Sequence, residues 1–318
     1  MNRPGLHPRD GAARADWVLP ELGFQEETER LRAAIADWAM READAELRDA
    51  IDWQFLSGSK YFRPLTVFSC ARAMTGGAVP EDAIHGAMAL ELFHNMTLVV
   101  DDILDQSDER RGKATMHVKF GSLKALMTSG YLVAECYRIV AHDPGLVALI
   151  SELMSRLAVA ECAQWRLRAQ PLGVEDWRLL AQEDTGSMFE VAACLGDRSE
   201  DLRRFGQLLG ILYHACDDVS DVRGTEELGE GGDDDIRDGI LTLPAAIAIR
   251  RPEVAEMFAA PDPGNYDALA TAFRQALPEA EQELDAIAAS AMAEAERFAR
   301  DPRPLHDLVR RTRALGAR

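Results

Sequence analysis

Two long stretches without proline constrain the fold of this chain more than any other feature. The first lies between Pro80 and Pro144, and the second lies between Pro171 and Pro244. Because proline breaks the interior of a helix, both stretches allow helices of several turns. Apolar residues recur there three and four positions apart, and alternating patterns rich in β-branched residues are scarce. The pattern predicts an all-α fold.

Loop signals separate helices without separating domains. Acidic residues directly after Pro80 and Gly173 predict helix starts, because acids favour the positive end of a helix. We find no linker, tandem repeat or low-complexity segment that divides the chain. We therefore expect a loose N-terminal arm over residues 1–20 and a single domain over residues 21–318.

The acidic balance limits the possible partners. The formal net charge is −19, so we expect no binding to nucleic acid. No apolar run approaches the ~20 residues that cross a bilayer, and the polar N-terminus has no secretory signal core. The five cysteines include no closely spaced pair, which favours a reducing compartment. These features predict a cytoplasmic protein without an integral membrane segment.

The excess negative charge is concentrated in two short windows. Residues 101–109 hold five acids and no base, while residues 217–238 hold ten acids and two bases. Thirteen of the nineteen excess charges therefore lie in these windows. Such local concentration indicates a site for cations.

Both windows contain two adjacent aspartates followed by a third. We call these residues the first aspartate cluster (Asp101, Asp102 and Asp105) and the second aspartate cluster (Asp217, Asp218 and Asp221). On a helix, residues four apart share a face, and like charges there need a divalent cation to neutralise them. Each cluster follows an apolar stretch, so its carboxylates should lie deep, near a helix end. The clusters predict opposite walls of one cavity, where Mg²⁺ bridges carboxylates to a diphosphate.

Basic residues near these motifs suit the diphosphate. Arg110 and Arg111 directly follow the first window, and Lys60 and Arg63 lie three apart in GSKYFRP. The planar fork of arginine binds phosphate oxygens in pairs, which lysine does not do. Each basic pair alone is also compatible with an ordinary surface ion pair.

Three motifs together resemble a known family. They are GSKYFRP at 58–64, ELFHNMTLVVDDILDQSDERRGKATMHVKFG at 91–121, and YHACDDVSD at 213–221 leading into DGILTLP. From about Leu56 to Pro244 the chain resembles the trans-type isoprenyl diphosphate synthases of the polyprenyl synthetase family. The resemblance implies a helical barrel around a deep central cavity, and a homodimer. It also implies Mg²⁺-dependent ionisation of an allylic prenyl diphosphate and condensation with isopentenyl diphosphate to a longer trans-polyprenyl diphosphate.

The resemblance also implies roles for individual residues. It assigns about two or three Mg²⁺ ions to the two aspartate clusters, with Asp221 acting through water. Arg110 would face the allylic diphosphate. The positions that bind isopentenyl diphosphate would be Lys60, Arg63, His94 and Arg111.

Product length in this family depends on the residues four and five positions before the first aspartate. Here they are Thr97 and Met96. Methionine is larger than alanine and smaller than tyrosine, so a product of intermediate length follows. Met96 is equally compatible with a flexible filler of the core.

Several positions depart from the family pattern. Ser59 and Tyr61 stand where the first motif usually has glycine and arginine, and His214 replaces a glutamine before the second cluster. Lysines expected around the allylic diphosphate are replaced at three positions, namely Asp184, Glu230 and Ile240.

These departures leave three hypotheses open. The first is an elongating prenyltransferase with a divergent allylic site, favoured by the complete isopentenyl set. The second is a lyase or cyclase of the class I terpene type, which ionises a single prenyl diphosphate on the same scaffold. The third is a non-catalytic partner of another synthase, which the intact aspartate clusters disfavour.

Overall fold

Helices follow one another along the chain, interrupted by one short β-ribbon. A computed structural model describes residues 22–41, 44–55, 61–110, 112–224 and 232–316. The N-terminal arm predicted over residues 1–20 lies outside the described residues. The extent of a single domain therefore stays a prediction.

The elements have the following bounds. The first helices are α1 (Gln25–Arg41), α2 (Ala45–Phe55), α3 (Phe62–Thr75) and α4 (Glu81–Leu104). The ribbon pairs β1 (Glu109–Arg110) antiparallel to β2 (Lys113–Ala114). Next come α5 (Met116–Phe120), α6 (Ser122–Val140), α7 (Pro144–Leu167), α8 (Val174–Ala181), a π-helical turn (Gln182–Gly186), α9 (Ser187–Asp197) and α10 (Arg203–Arg223). The last helices are α11 (Gly232–Asp238), α12 (Leu243–Ala248), α13 (Pro252–Ala259), α14 (Tyr266–Phe298) and α15 (Arg303–Leu315). The prediction of an all-α fold is confirmed.

Helix α9 lies at the centre of the core. All of its residues are buried, and it packs against α3, α4 and α10. Gly206 permits the close approach of α10, because a Cβ there would lie 2.4 Å from the carbonyl oxygen of Phe189. The two helices that carry the aspartate clusters, α4 and α10, therefore both pack against one buried helix.

Helix α4 is also the one described helix long and apolar enough to cross a membrane. Most of its apolar stretch is buried inside the protein, as expected for the core helix of a globular fold. Its apolar character explains why the carboxylates at its end lie beside the core.

Candidate active site

The first aspartate cluster lies where α4 leaves the core. The backbone N–H of Asp105 donates to the carbonyl oxygen of Asp101 at 2.9 Å, so the helical spacing continues through the cluster. Asp102 is buried, Asp101 is half-buried and Asp105 is exposed. Arg110 Nε donates to Asp102 Oδ1 at 2.7 Å. The predicted arginine thus holds the middle carboxylate in place.

The second aspartate cluster lies in the last turns of α10. Asp218 is buried, and its Oδ2 accepts hydrogen bonds from Trp177 Nε1 at 2.8 Å and from the backbone N–H of Leu243 at 2.7 Å. Its Oδ1 lies 3.8 Å from His214 Nε2. Asp217, beside it, is half-buried. Two hydrogen bonds therefore fix one carboxylate oxygen and leave the other toward His214.

A cavity of about 180 Å³ opens beside the second cluster. It lies between the end of α7, the π-helical turn, α10 and the segment 235–242. Its charged and polar lining consists of Gln164, Arg168, Asp184, His214, Asp217, Asp218, Asp221, Asp235 and Thr242.

The charge of Asp184 acts on an aspartate of each cluster. Burial raises the pKa of Asp101 to about 8, with the nearby charges of Glu161 and Asp184 adding to the effect. Burial also raises the pKa of Asp218, and Asp184 contributes there too. One carboxylate is thus close enough to act on both clusters, which places them around one acidic region.

His214 lies within this acidic region. Its Nδ1 is 3.0 Å from Thr185 Oγ1 and 3.7 Å from Asp184 Oδ2. Burial opposes a charge on the ring, but Asp218, Asp184 and Asp217 outweigh it and raise the pKa of His214. The ring therefore provides a positive charge beside the second cluster more readily than an isolated histidine would.

The carboxylates suit a metal that binds together with its substrate. Within the part of the chain that the structure describes, no three acid, histidine or cysteine side chains converge on one metal position. Mg²⁺ usually takes one or two protein carboxylates and completes its shell with phosphate oxygens and water. The hard oxygen donors of Asp101, Asp105 and Asp217 fit that mode of binding. Burial raises the pKa of Asp101, and a bound cation would stabilise its charged form.

Two of the residues predicted to bind isopentenyl diphosphate, both half-buried, lie together. Arg63 Nη1 is 3.0 Å from His94 Nε2, and the Arg63 guanidinium lies 5.5 Å from the ring centroid of Phe189. Burial lowers the pKa of Arg63. Lys60 and Arg111, the other members of this set, lie outside the described residues.

The two predicted chain-length residues occupy the same turn of α4. Met96 is buried, and the half-buried Thr97 donates from Oγ1 to the carbonyl oxygen of His94 at 2.9 Å. They therefore lie between the Arg63–His94 pair and the first aspartate cluster along the helix.

Comparison with known proteins gives the family. The family model described as "Polyprenyl synthetase" matches residues 44–275. The chain belongs to this family. Family membership makes it a trans-prenyltransferase by class and confirms the resemblance read from the motifs.

Individual relatives agree. The nonaprenyl diphosphate synthase of Mycobacterium tuberculosis is 30% identical over 228 residues, which cover 68% of each chain. A putative geranylgeranyl pyrophosphate synthase of Arabidopsis thaliana is 30% identical over 66% of this chain, but the match spans only 65% of the plant protein.

Solved structures share the fold. The heptaprenyl diphosphate synthase of Staphylococcus aureus matches with a TM-score of 0.84 and 23% identity, over 93% of this chain and 98% of that one. A polyprenyl synthase from Caulobacter crescentus, complexed with calcium and isoprenyl diphosphate, matches with a TM-score of 0.82 and 24% identity, over 98% of this chain and 99% of that one.

Three of the departures from the family pattern gather at the cavity, which Asp184, His214 and Ile240 all line. Tyr61 does not line it, and Ser59 and Glu230 lie outside the described residues. These three substitutions are therefore neighbours in space. They change the charge of one wall.

Sequence reasoning missed three residues of this region. Glu161 has its pKa raised to about 7 by burial and by Asp184 and Asp105. Arg168 lines the cavity, and Trp177 holds Asp218. The spacing of Glu161, Gln164 and Arg168 is a possible signal, since positions i, i+3 and i+7 share a helix face.

Proposed function

We propose that this chain is a Mg²⁺-dependent synthase that condenses an allylic prenyl diphosphate with isopentenyl diphosphate and releases pyrophosphate. The observation that carries the proposal is the acidic region shared by the two clusters: Arg168 lines the cavity beside Asp218 and lies 3.7 Å from Asp105 of the first cluster. Buried carboxylates at this density require a counter-cation, and Mg²⁺ bound with a diphosphate supplies one.

The reaction needs charge stabilisation more than covalent catalysis. The allylic C–O bond breaks, and its electron pair leaves with pyrophosphate. The double bond of isopentenyl diphosphate then forms the new C–C bond to the allylic carbon, and a proton leaves the neighbouring carbon. Mg²⁺ supplies positive charge to the leaving group when bound. Arg110 would add hydrogen bonds to the same diphosphate, and apolar walls would keep water from the cation.

The second substrate would bind at the Arg63–His94 pair. Arg63 is half-buried, its Nη1 lies 3.0 Å from His94 Nε2, and the nearby Phe189 ring limits its movement. A lyase with one substrate has no evident use for this pair, which favours elongation. Lys60 and Arg111 stay predicted members of the set.

Met96 supports a product of medium length. It is a buried side chain on the helix that carries the first cluster, where a growing chain would meet it. We further infer a homodimer in the cytoplasm from the family resemblance and the cysteine pattern. These two inferences stay predictions.

A substrate panel tests the proposal. The protein is incubated with Mg²⁺ and dimethylallyl, geranyl, farnesyl or geranylgeranyl diphosphate, each with and without isopentenyl diphosphate, and products are identified by mass spectrometry. Longer diphosphates that form only with isopentenyl diphosphate support elongation. Hydrocarbon or alcohol from a single substrate would instead support the lyase, which Asp184 and Ile240 in the cavity favour. No product in any mixture would overturn both.

A further inference from the structure

Arg168 is held at the cavity by an unusual backbone junction. The residue after it, Ala169, has a φ of +57°, a left-handed conformation that is rare for residues other than glycine. The backbone N–H of Ala169 donates to the carbonyl oxygen of Gly239 at 2.8 Å. A Cβ at Gly239 would lie 2.7 Å from the Ala169 nitrogen, so only glycine permits this contact. The junction fixes Arg168 next to Ile240, a position where the family pattern has lysine.

The guanidinium of Arg168 lies between the two aspartate-bearing regions and is loosely held. Its Nη2 is 3.7 Å from Asp105 Oδ1, and its Nη1 is 3.9 Å from Asp238 Oδ2, both beyond hydrogen-bond distance. Its Nε is buried and has no hydrogen-bond partner among the described residues. The indole of Trp165 covers one face, with 3.7 Å from Arg168 Cζ to the ring centroid. Stacking positions the fork, and its donors stay available.

Among the described residues that line the cavity, Arg168 is the one with a permanent positive charge. Asp184 and Ile240 stand there in place of lysines. A diphosphate that enters this cavity meets acidic side chains on several sides, so it needs cationic donors beyond the metal. Arginine suits this role because its planar fork binds two phosphate oxygens at once.

We propose that Arg168 binds the diphosphate of the allylic substrate in place of the lysines that the family pattern has at positions 184 and 240. The inference rests on the proposed function, because it names a residue for the allylic site. It assigns to a residue outside the recognised motifs a contact that those motifs no longer supply.

The kinetic test separates the two substrates. We expect Arg168→Ala to raise KM for the allylic diphosphate by about 10- to 100-fold, the range for a lost charge-assisted contact. KM for isopentenyl diphosphate should stay within about twofold of wild type. Arg166→Ala is the matched control, because Arg166 is an exposed arginine two residues earlier. It should change neither constant.

A restored lysine provides the sharper test. Adding Ile240→Lys to Arg168→Ala should lower KM for the allylic diphosphate by at least about tenfold from its value in Arg168→Ala. Adding Ile240→Leu instead should leave that KM unchanged. Equal increases of both KM values, or rescue by leucine as well as by lysine, would mean that Arg168 only supports the fold. If Arg168→Ala does not fold, Arg168→Gln is compared with Arg168→Lys, and equal allylic KM values for the two would overturn the proposal.

Direct binding keeps the inference separate from turnover. Calorimetric titration with inorganic pyrophosphate and Mg²⁺ should show about 10-fold weaker binding by Arg168→Ala than by wild type. If wild type forms no product in any mixture, the proposed function fails, yet this titration still tests Arg168. Equal pyrophosphate affinity in the two proteins would overturn the role of Arg168 whether or not the enzyme elongates.

Discussion

The two aspartate clusters share a sequence pattern but lie in different surroundings. In the first cluster, Asp102 is paired with Arg110, whose side chain is 35% exposed. In the second, Asp218 is held by the buried indole of Trp177 and by the backbone of Leu243. Both aspartates are buried, but solvent reaches Arg110, whereas Trp177 and Leu243 are fully buried. The support of the second cluster is therefore part of the core, whereas the support of the first lies at its edge.

The same contrast holds for the departures from the family pattern. The first cluster and the arginines after it follow the pattern of the family, while Asp184, His214 and Ile240 alter the cavity beside the second. Carboxylates are kept on both sides, and the positive charges around them differ on one side. Under the proposed function, metal binding would persist while the contacts to the diphosphate would be redistributed.

The largest expected effect is the loss of one carboxylate from either cluster. We expect Asp101→Ala and Asp217→Ala each to lower kcat/KM by roughly 10³-fold, because each would remove stabilisation of the departing pyrophosphate. Both side chains are half-buried, so thermal unfolding should still show a folded protein. Asp108→Ala, an exposed acid near the first cluster, is the control and should keep full activity. Wild-type turnover in either cluster variant would refute the mechanism.

A second prediction compares the supports of the two clusters. Trp177→Phe removes the N–H that donates a hydrogen bond to Asp218, and it leaves a cavity in the core. We therefore expect the free energy of unfolding to fall by about 3 kcal/mol. Arg110→Gln removes the support of Asp102 at a more solvated position, and we expect about half that loss. Urea unfolding of both variants measures the difference. A larger loss for Arg110→Gln would show that the contrast between edge and core is wrong.

A third prediction concerns pH. Burial raises the pKa of Asp101 to about 8 and that of Glu161 to about 7. At any pH between the ordinary and the raised pKa of each group, the folded protein therefore binds more protons than the unfolded chain. Stability should therefore fall as pH rises through this window. For metal-free protein we expect Tm to drop by roughly 5 °C between about pH 5.5 and 8.5.

Asp101→Asn provides the check on this pH effect. It removes one titrating group, so Tm should depend less steeply on pH than in wild type. Asp108→Asn, whose side chain is exposed, should leave the slope unchanged. A Tm that rises with pH, or equal slopes for wild type and Asp101→Asn, would contradict the assignment.

The helices and the two clusters could be predicted because their signals are local. Proline placement and apolar spacing predict α4 and its start after Pro80. Paired aspartates that follow apolar runs predict that both clusters lie at the ends of buried helices. Local rules have limits even for helices. Pro278 lies inside α14 (Tyr266–Phe298), although proline ordinarily breaks the interior of a helix.

The supports of the site could not be predicted because they depend on long-range packing. Trp177 lies 41 residues from Asp218, and nothing in either segment marks the pair. Asp184 reaches both clusters from a π-helical turn, an irregularity without a sequence signal here. Arg168 is positioned by the contact of Ala169 with Gly239, which joins two distant segments. Charge at a site thus depends on residues that no motif contains.

The smallest expected effect tests whether the α4 side follows the family rule for product length. Met96→Ala should lengthen the product by about one isoprene unit, because removing a buried side chain leaves room beside the cluster. Met88→Ala is the control: Met88 is also buried on α4 but lies two turns farther from the aspartates. Mass spectrometry of the products and urea unfolding of both variants separate room for the chain from general loosening of the core.

The control decides between the two interpretations of Met96. A longer product with Met96→Ala alone would make this side chain a limit on chain growth. Longer products with both variants would show that loss of core packing changes product length without a specific contact. An unchanged product with Met96→Ala would leave Met96 as a filler of the core. The limit on chain growth would then lie at other residues.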